Sequence, residues 1–263
     1  MKWLRYEADD SARYGVLDGD AIKEVAGTPF DEYKFTGRAH ALKAVRLLVP
    51  CQPSTFYAAG VNYETHIRST SAALGKPFVM PRPIDIVGYR AINALSAYGE
   101  PIVIPSDSSG KVQYEGELVA VIGKKTRKVS EVDALSHVLG YTIGNDVSER
   151  SWQKIDRTFI RSKNCDTFKP MGPWIETDVD LGRLQTVVRL NGKEVSRFAT
   201  NKMICGVAKA ISTISRYVTL YPGDVLWMGT DDPTLDMVAG DSVEIEITGI
   251  GVLRNPVVNE ARD

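Results

Sequence analysis

The chain has 263 residues, 43% hydrophobic and 25% charged, with a formal net charge of -1. That length suffices for one sizeable core with a small accessory domain, and the balanced charge excludes a general affinity for nucleic acid or anionic membrane. Three cysteines, Cys51, Cys165 and Cys205, are too few and too scattered for a disulfide framework or a zinc site, so a reduced, cytoplasmic setting is expected. The opening MKWLRYEADDSARYG lacks the apolar run of a signal peptide. No stretch approaches the ~20 apolar residues that span a bilayer.

The first elements read as short strands. Tyr14 to Leu17 leads through an Asp18-Gly19-Asp20 turn into Ala21 to Val25. Pro50 and Pro53 break regular pairing and close a small β-rich leader over residues 1–50, ahead of a main body over 51–263. There, Glu117 to Ile122 is a strand stopped by Gly123, Glu131 to Leu139 suits a short helix, and Gly140 to Asn145 suits a strand. Val187 to Leu190, then Asn191-Gly192, then Lys193 to Val195 is a hairpin signal, because both turn residues accept positive φ. Met203 to Tyr217 carries Ile204, Val207, Ala208, Ile211 and Ile214 at helical spacing. Pro222-Gly223-Asp224 and Gly240-Asp241 are turns before the strands at Val225 and Val243. Strands dominate and helices are few, which predicts a mainly β α+β fold.

Tyr114-Glu115-Gly116-Glu117-Leu118 is the most informative segment. If extended, it places both carboxylates on one face, because strand side chains alternate with period two. The apolar run that follows belongs in a core, where two like charges repel and lose hydration unless a cation compensates. Asp146, at the end of the next apolar strand, supplies a third oxygen. Carboxylates without a His or Cys cluster favour a hard cation such as Mg²⁺, Mn²⁺ or Ca²⁺. On its own, a Glu-x-Glu pair is more often a solvated sheet face, and Asp146 alone is equally a turn residue or a cap.

Several segments, in order from about residue 50 to the end, are similar to the fumarylacetoacetate hydrolase family. They are Gly60-Val61-Asn62-Tyr63-Glu64-Thr65-His66; Tyr114-Glu115-Gly116-Glu117 with Leu118 to Gly123; Gly140-Tyr141-Thr142 through Asn145-Asp146-Val147-Ser148 to Arg150; and Lys163 with Asp166-Thr167-Phe168 and Gly172-Pro173-Trp174. Asn191-Gly192, Pro222-Gly223-Asp224, Gly229-Thr230 and Gly249-Ile250-Gly251 complete the series. The resemblance implies a mixed β-sandwich or β-roll, a homodimer, and Mg²⁺ or Mn²⁺ held by Glu115, Glu117 and Asp146. It also implies a small anionic oxo-acid or 1,3-dioxo substrate, with His66 and Lys163 as catalytic groups and Thr230, Arg150 and Tyr63 around the substrate. The reactions implied are C–C hydrolysis, decarboxylation, and keto–enol or double-bond isomerisation. Hydrolysis of an acylpyruvate-like acid is the leading expectation.

Three departures bear on the reaction. Hydrolytic members carry a Glu three residues after the His, whereas Ser69 stands here, which weakens water activation and favours a decarboxylase or isomerase. Asp231 and Asp232 follow Thr230 where a proline and glycine are usual; they shape a different pocket or sit in a solvated turn. Pro81-Arg82-Pro83 stands where a Lys-Pro stretch is usual, making Arg82 or Arg90 a candidate for an anionic group or a surface residue.

Overall fold

In the computed structural model, which describes residues 1–73, 75, 77–231 and 233–261, the strand Gly116–Ile122 is buried along its whole length. Its β-branched and small residues suit a pleated surface covered on both sides. Leu118, Ala120 and Ile122 enter one core cluster while Val119 and Val121 enter another, as period-two alternation requires. Val138–Asn145 pairs antiparallel on one side, with Glu117 opposite Gly144, and Val225–Trp227 on the other, with Val119 opposite Trp227. Glycine is required at 144, where a Cβ would meet the Trp227 ring at 2.5 Å.

These strands belong to a 12-stranded sheet whose main path of ten runs from Tyr33–Ala41 through Ala21–Gly27, Ser11–Asp18, Lys2–Ala8, Lys169–Glu176, Val138–Asn145, Gly116–Ile122, Val225–Trp227 and Phe56–Ala59 to Val87–Tyr89, with Arg46–Leu48 beside Lys2–Ala8 and Leu95–Ser96 beside Lys169–Glu176. A five-stranded sheet packs over it, ordered Lys193–Ala199, Gln185–Leu190, Ser242–Ile247, Gly251–Asn259 and Ile102–Ile104. Val188, Ile245 and Leu253 of this second sheet share a core with Leu118, Ala120 and Ile122 of the first. Most pairings are antiparallel, but Phe56–Ala59 runs parallel to Val225–Trp227, and Ile102–Ile104 to Gly251–Asn259. The expected mainly β, mixed sandwich is the fold observed.

The leader forms its strands around the Asp18-Gly19-Asp20 turn, with Gly19 at φ +59. It is continuous with the larger sheet, because Lys2 pairs with Glu176 and Trp3 with Ile175. The Asn191-Gly192 hairpin forms as expected, with φ values of +55 and +76. Two helices are shorter than their sequence patterns. The helix expected over Met203 to Tyr217 spans only Val207–Ser215. The buried Asn62 side chain accepts from the Cys205 N–H at 2.8 Å and donates to the Cys205 carbonyl at 3.0 Å, which fixes the preceding residues as a turn. The one expected over Glu131 to Leu139 is Glu131–Ala134 plus a 3-10 turn, Leu135–His137, because Val138 is drawn into the sheet. Among the described residues no helix is long and apolar enough to cross a membrane.

Candidate active site

At the end of the strand Gly116–Ile122 the backbone carries Glu115 and Glu117 toward the start of the loop after Val138–Asn145. The Glu115 N–H donates to Asn145 Oδ1 at 2.9 Å, and the Asp146 N–H donates to the Glu115 carbonyl at 2.9 Å. These two bonds lock the third carboxylate beside the first pair. Oxygens of Glu115, Glu117 and Asp146 lie within 4.8 Å of one another, and all three residues are buried.

Four cations surround them. Arg90 grips Asp146 through Nε at 3.2 Å and Nη2 at 2.8 Å, a two-pronged contact that suits the planar guanidinium. Lys163 Nζ lies 2.6 Å from Glu115 and 3.0 Å from Asp146. Lys169, wholly buried, lies 2.7 Å from Asp146, and Arg150 lies 2.7 Å from Glu115. Burial by itself would raise the Asp146 carboxyl, but Arg90, Lys163 and Lys169 outweigh it and hold the group well below the usual carboxylate range. Burial also opposes ionisation of Glu115, yet Lys163 and Arg150 bring it down. Lys169 is pushed down to about 8, chiefly by burial, against the pull of Asp146.

Glu117 differs. Among the described residues no ion pair reaches it, and its hydrogen bond comes from the Gly229 N–H at 2.8 Å. Burial, then the charges of Asp146 and Glu115, drive its carboxyl well above the usual range. A buried carboxylate crowded by two others is the signature of a place for a cation, and three oxygen donors suit a hard divalent ion.

A cavity of about 370 Å³ opens onto this cluster. Its lining includes Glu115, Glu117, Asp146, Lys163, His66 and Thr230, six of the eight residues expected at the site. His66 is carried by the helix Glu64–Ala73, half-buried and close enough to Glu115 to interact with its charge. On that helix Glu64 faces away to pair with Arg68, and the Ser69 hydroxyl donates to the His66 carbonyl. Thr230 Oγ1 donates to the half-buried Asp231 carbonyl at 3.4 Å, and Asp232 lies outside the described residues.

Tyr63 and Arg150 stand behind this wall. The Tyr63 hydroxyl donates to the Thr200 carbonyl at 2.8 Å inside the core, and its ring meets Phe198 edge-on. Arg150 holds Glu115 while also donating to Gln113 and Gln153. Arg82 is a surface residue paired with Asp85, and Arg90, eight positions on, enters the site. Lys169 and Gln153 escaped the sequence reading. Lys169 had left one trace, a charge inside the otherwise apolar Phe168-Lys169-Pro170-Met171.

The family described as fumarylacetoacetate (FAA) hydrolase, C-terminal, matches residues 55–258, and one described as Rv2993c-like, N-terminal, matches residues 1–50. Protein Rv2993c of Mycobacterium tuberculosis is 37% identical over all of both chains. The mitochondrial oxaloacetate tautomerase fahd2 of Xenopus laevis is 36% identical over 81% of this chain and 69% of its own. Among solved structures, the 5-carboxymethyl-2-hydroxymuconate delta-isomerase of Mycobacterium smegmatis superposes with a TM-score of 0.89 at 35% identity, covering 99% of this chain and 100% of that one. The maleylpyruvate hydrolase of Sphingobium sp. SYK-6, in complex with manganese and pyruvate, gives a TM-score of 0.80 at 26% identity, with the same coverage.

Proposed function

The chain belongs to the fumarylacetoacetate hydrolase family, and from that premise we propose that it is a divalent-metal-dependent enzyme that forms and discharges the enolate of a small 2-oxo acid. The observation that carries this reading is one cavity in which three buried carboxylates, Lys163, His66 and Thr230 converge. Glu115, Glu117 and Asp146 would hold Mg²⁺ or Mn²⁺, whose Lewis acidity polarises the substrate carbonyl when bound. The four cations touch Glu115 and Asp146 and outnumber those two carboxylates, while Glu117 tends to keep its proton before any metal enters; the resulting positive charge attracts an acid anion.

Lys163 holds its ammonium at the cavity wall and donates to the oxygen on which negative charge develops. His66 takes the proton from the carbon beside the carbonyl and returns it to oxygen, or the reverse, at one ring nitrogen. Thr230 donates its hydroxyl to the substrate carboxylate. Arg90, Lys169 and Arg150 keep Asp146 and Glu115 ionised and in place.

Keto–enol or double-bond isomerisation needs only these steps. The relatives named as a tautomerase and an isomerase, together with Ser69 where a carboxylate is expected, favour it. Hydrolytic C–C cleavage of an acylpyruvate-like acid is the second reading. It is favoured by His66 at the cavity wall, from where it takes a proton from water attacking the distal carbonyl while Lys163 steadies the departing enolate. We also propose a homodimer, as the family resemblance implies, which light scattering tests, in a cytoplasmic setting that its three scattered cysteines suit.

Purified protein is incubated with enol-oxaloacetate and, separately, with acetylpyruvate, in Mn²⁺ or EDTA, and products are followed by NMR. Metal-dependent ketonisation without acetate release supports the first reading. Acetate and pyruvate from acetylpyruvate move it to the second, and no turnover of either rejects both.

A further inference from the structure

Val61, Tyr89 and Phe159 line the same cavity and are also exposed, so apolar side chains stand at its mouth. Two of the three occupy left-handed backbone, Val61 at φ +49 and Phe159 at φ +57. A β-branched or aromatic residue there is an outlier that persists only when its surroundings over-determine it, and such outliers gather at functional sites. Glycine would relax both positions, yet the sequence places bulk at each.

The surroundings do over-determine them. The Phe159 carbonyl accepts from the Lys163 N–H at 3.1 Å and from Asn164 Nδ2 at 2.7 Å, while Asn164 Oδ1 accepts from the Ala91 N–H at 2.7 Å. Asn164 therefore ties the Phe159 wall to the Tyr89–Arg90 wall. The Asp156 carboxylate accepts from the Arg161 and Ser162 N–H groups at 3.0 and 2.9 Å and fixes the turn that presents Phe159. Tyr89 leans on the buried Tyr57 ring at 5.3 Å. Val61 sits between Gly60, whose N–H donates to the Ile86 carbonyl, and the buried Asn62.

We propose that Val61, Tyr89 and Phe159 form an apolar collar that selects 2-oxo acids bearing a hydrocarbon substituent beyond the reacting carbons. This rests on the reading that the acid head binds among Lys163 and the carboxylates. The occupant follows from continuity, since the collar opens directly onto that charged floor. A head-group held below leaves only its far end to meet the collar, and apolar walls lower the free energy of an alkyl or aryl end and not of a second carboxylate.

The test is titration calorimetry of the Mn²⁺-saturated protein with straight-chain 2-oxo acids from 2-oxobutanoate to 2-oxooctanoate. A fully buried methylene tightens binding about fourfold, and about twofold where half of it stays wet. The collar therefore predicts a Kd that falls by about twofold to fourfold per carbon. Phe159→Ala and, on a wholly different element, Tyr89→Ala each shrink the ratio of short-chain to long-chain Kd toward unity. A flat series in the wild type, or variants that weaken every acid by the same factor, overturns the collar. A sloping series in a protein that turns over neither oxaloacetate nor any acylpyruvate from acetyl- to hexanoylpyruvate keeps the collar and rejects the enzymatic reading. A flat series with turnover does the reverse.

Discussion

Glu117→Gln separates the metal site from the fold, because its two effects have opposite signs. The oxygens of Glu115, Glu117 and Asp146 lie within 4.8 Å of one another. At that separation Coulomb's law with an effective dielectric of about 20 gives at least about 3.5 kcal/mol of repulsion per ionised neighbour. That is a large share of a typical ~5–15 kcal/mol stability. Burial and these neighbours raise the Glu117 carboxyl, so without metal it keeps its proton to higher pH. A raised carboxyl favours the fold while protonated and loses that contribution as pH climbs through its folded value. An amide imitates the protonated acid and still accepts from the Gly229 N–H. The metal-free variant should therefore lie within about 1 kcal/mol of wild type, or above it. Metal, in contrast, must displace that proton. In wild type, Mn²⁺ at ~1,000 Kd adds about 4.1 kcal/mol, or a rise of roughly 8–16 °C in Tm. The variant should lose most of that rise, together with the tightening of metal binding as pH increases. Thermal melts in EDTA and in Mn²⁺ measure both quantities. A metal-free variant more than about 3 kcal/mol below wild type, or one that retains the whole Mn²⁺-induced rise, would refute the reasoning.

Lys169→Met removes a wholly buried ammonium that pairs with Asp146 and donates to the Val147 and Phe168 carbonyls. Breaking a buried pair costs about 3–5 kcal/mol, so urea unfolding should show that loss, and a change below about 1 kcal/mol contradicts it. His66→Ala should sharply slow the metal-dependent ketonisation of enol-oxaloacetate while Mn²⁺ still raises the Tm, and an unchanged ketonisation rate removes the proton-transfer role assigned to it. In the leader, burial would raise the Glu24 carboxyl, but Thr36, His40 and Arg13 bring it below its usual value. Its contribution is therefore present above the unfolded value and lost as pH falls below about 4.5. Glu24→Gln should flatten the fall of Tm between about pH 5 and pH 3, and an unchanged acid limb dismisses Glu24 as a contributor.

Where the sequence pattern is local, it was readable. Period two in Glu115-Gly116-Glu117 put two carboxylates together, and the apolar run behind them announced burial. Asn191-Gly192 announced its hairpin because only a few residues accept positive φ. The helix before Val207 was misjudged because the side chain that ends it, Asn62, lies 143 positions away. Arg82 and Arg90 look alike as letters, and the pairing of Val87–Tyr89 with Phe56–Ala59 carries the second toward Asp146.

The sequence by itself pointed to the mainly β fold through its strand patterns, and to the three carboxylates, His66, Lys163 and Thr230 through motifs that match one family in order along the chain, since each of these residues alone has commoner uses. Tertiary structure alone decided which cations neutralise them, that Tyr63 turns into the core, and that Val61, Tyr89 and Phe159 meet at one mouth. Those outcomes depend on contacts between segments far apart in the chain. Side-chain type fixes what a residue offers, and only the packed fold fixes what stands within a hydrogen bond of it.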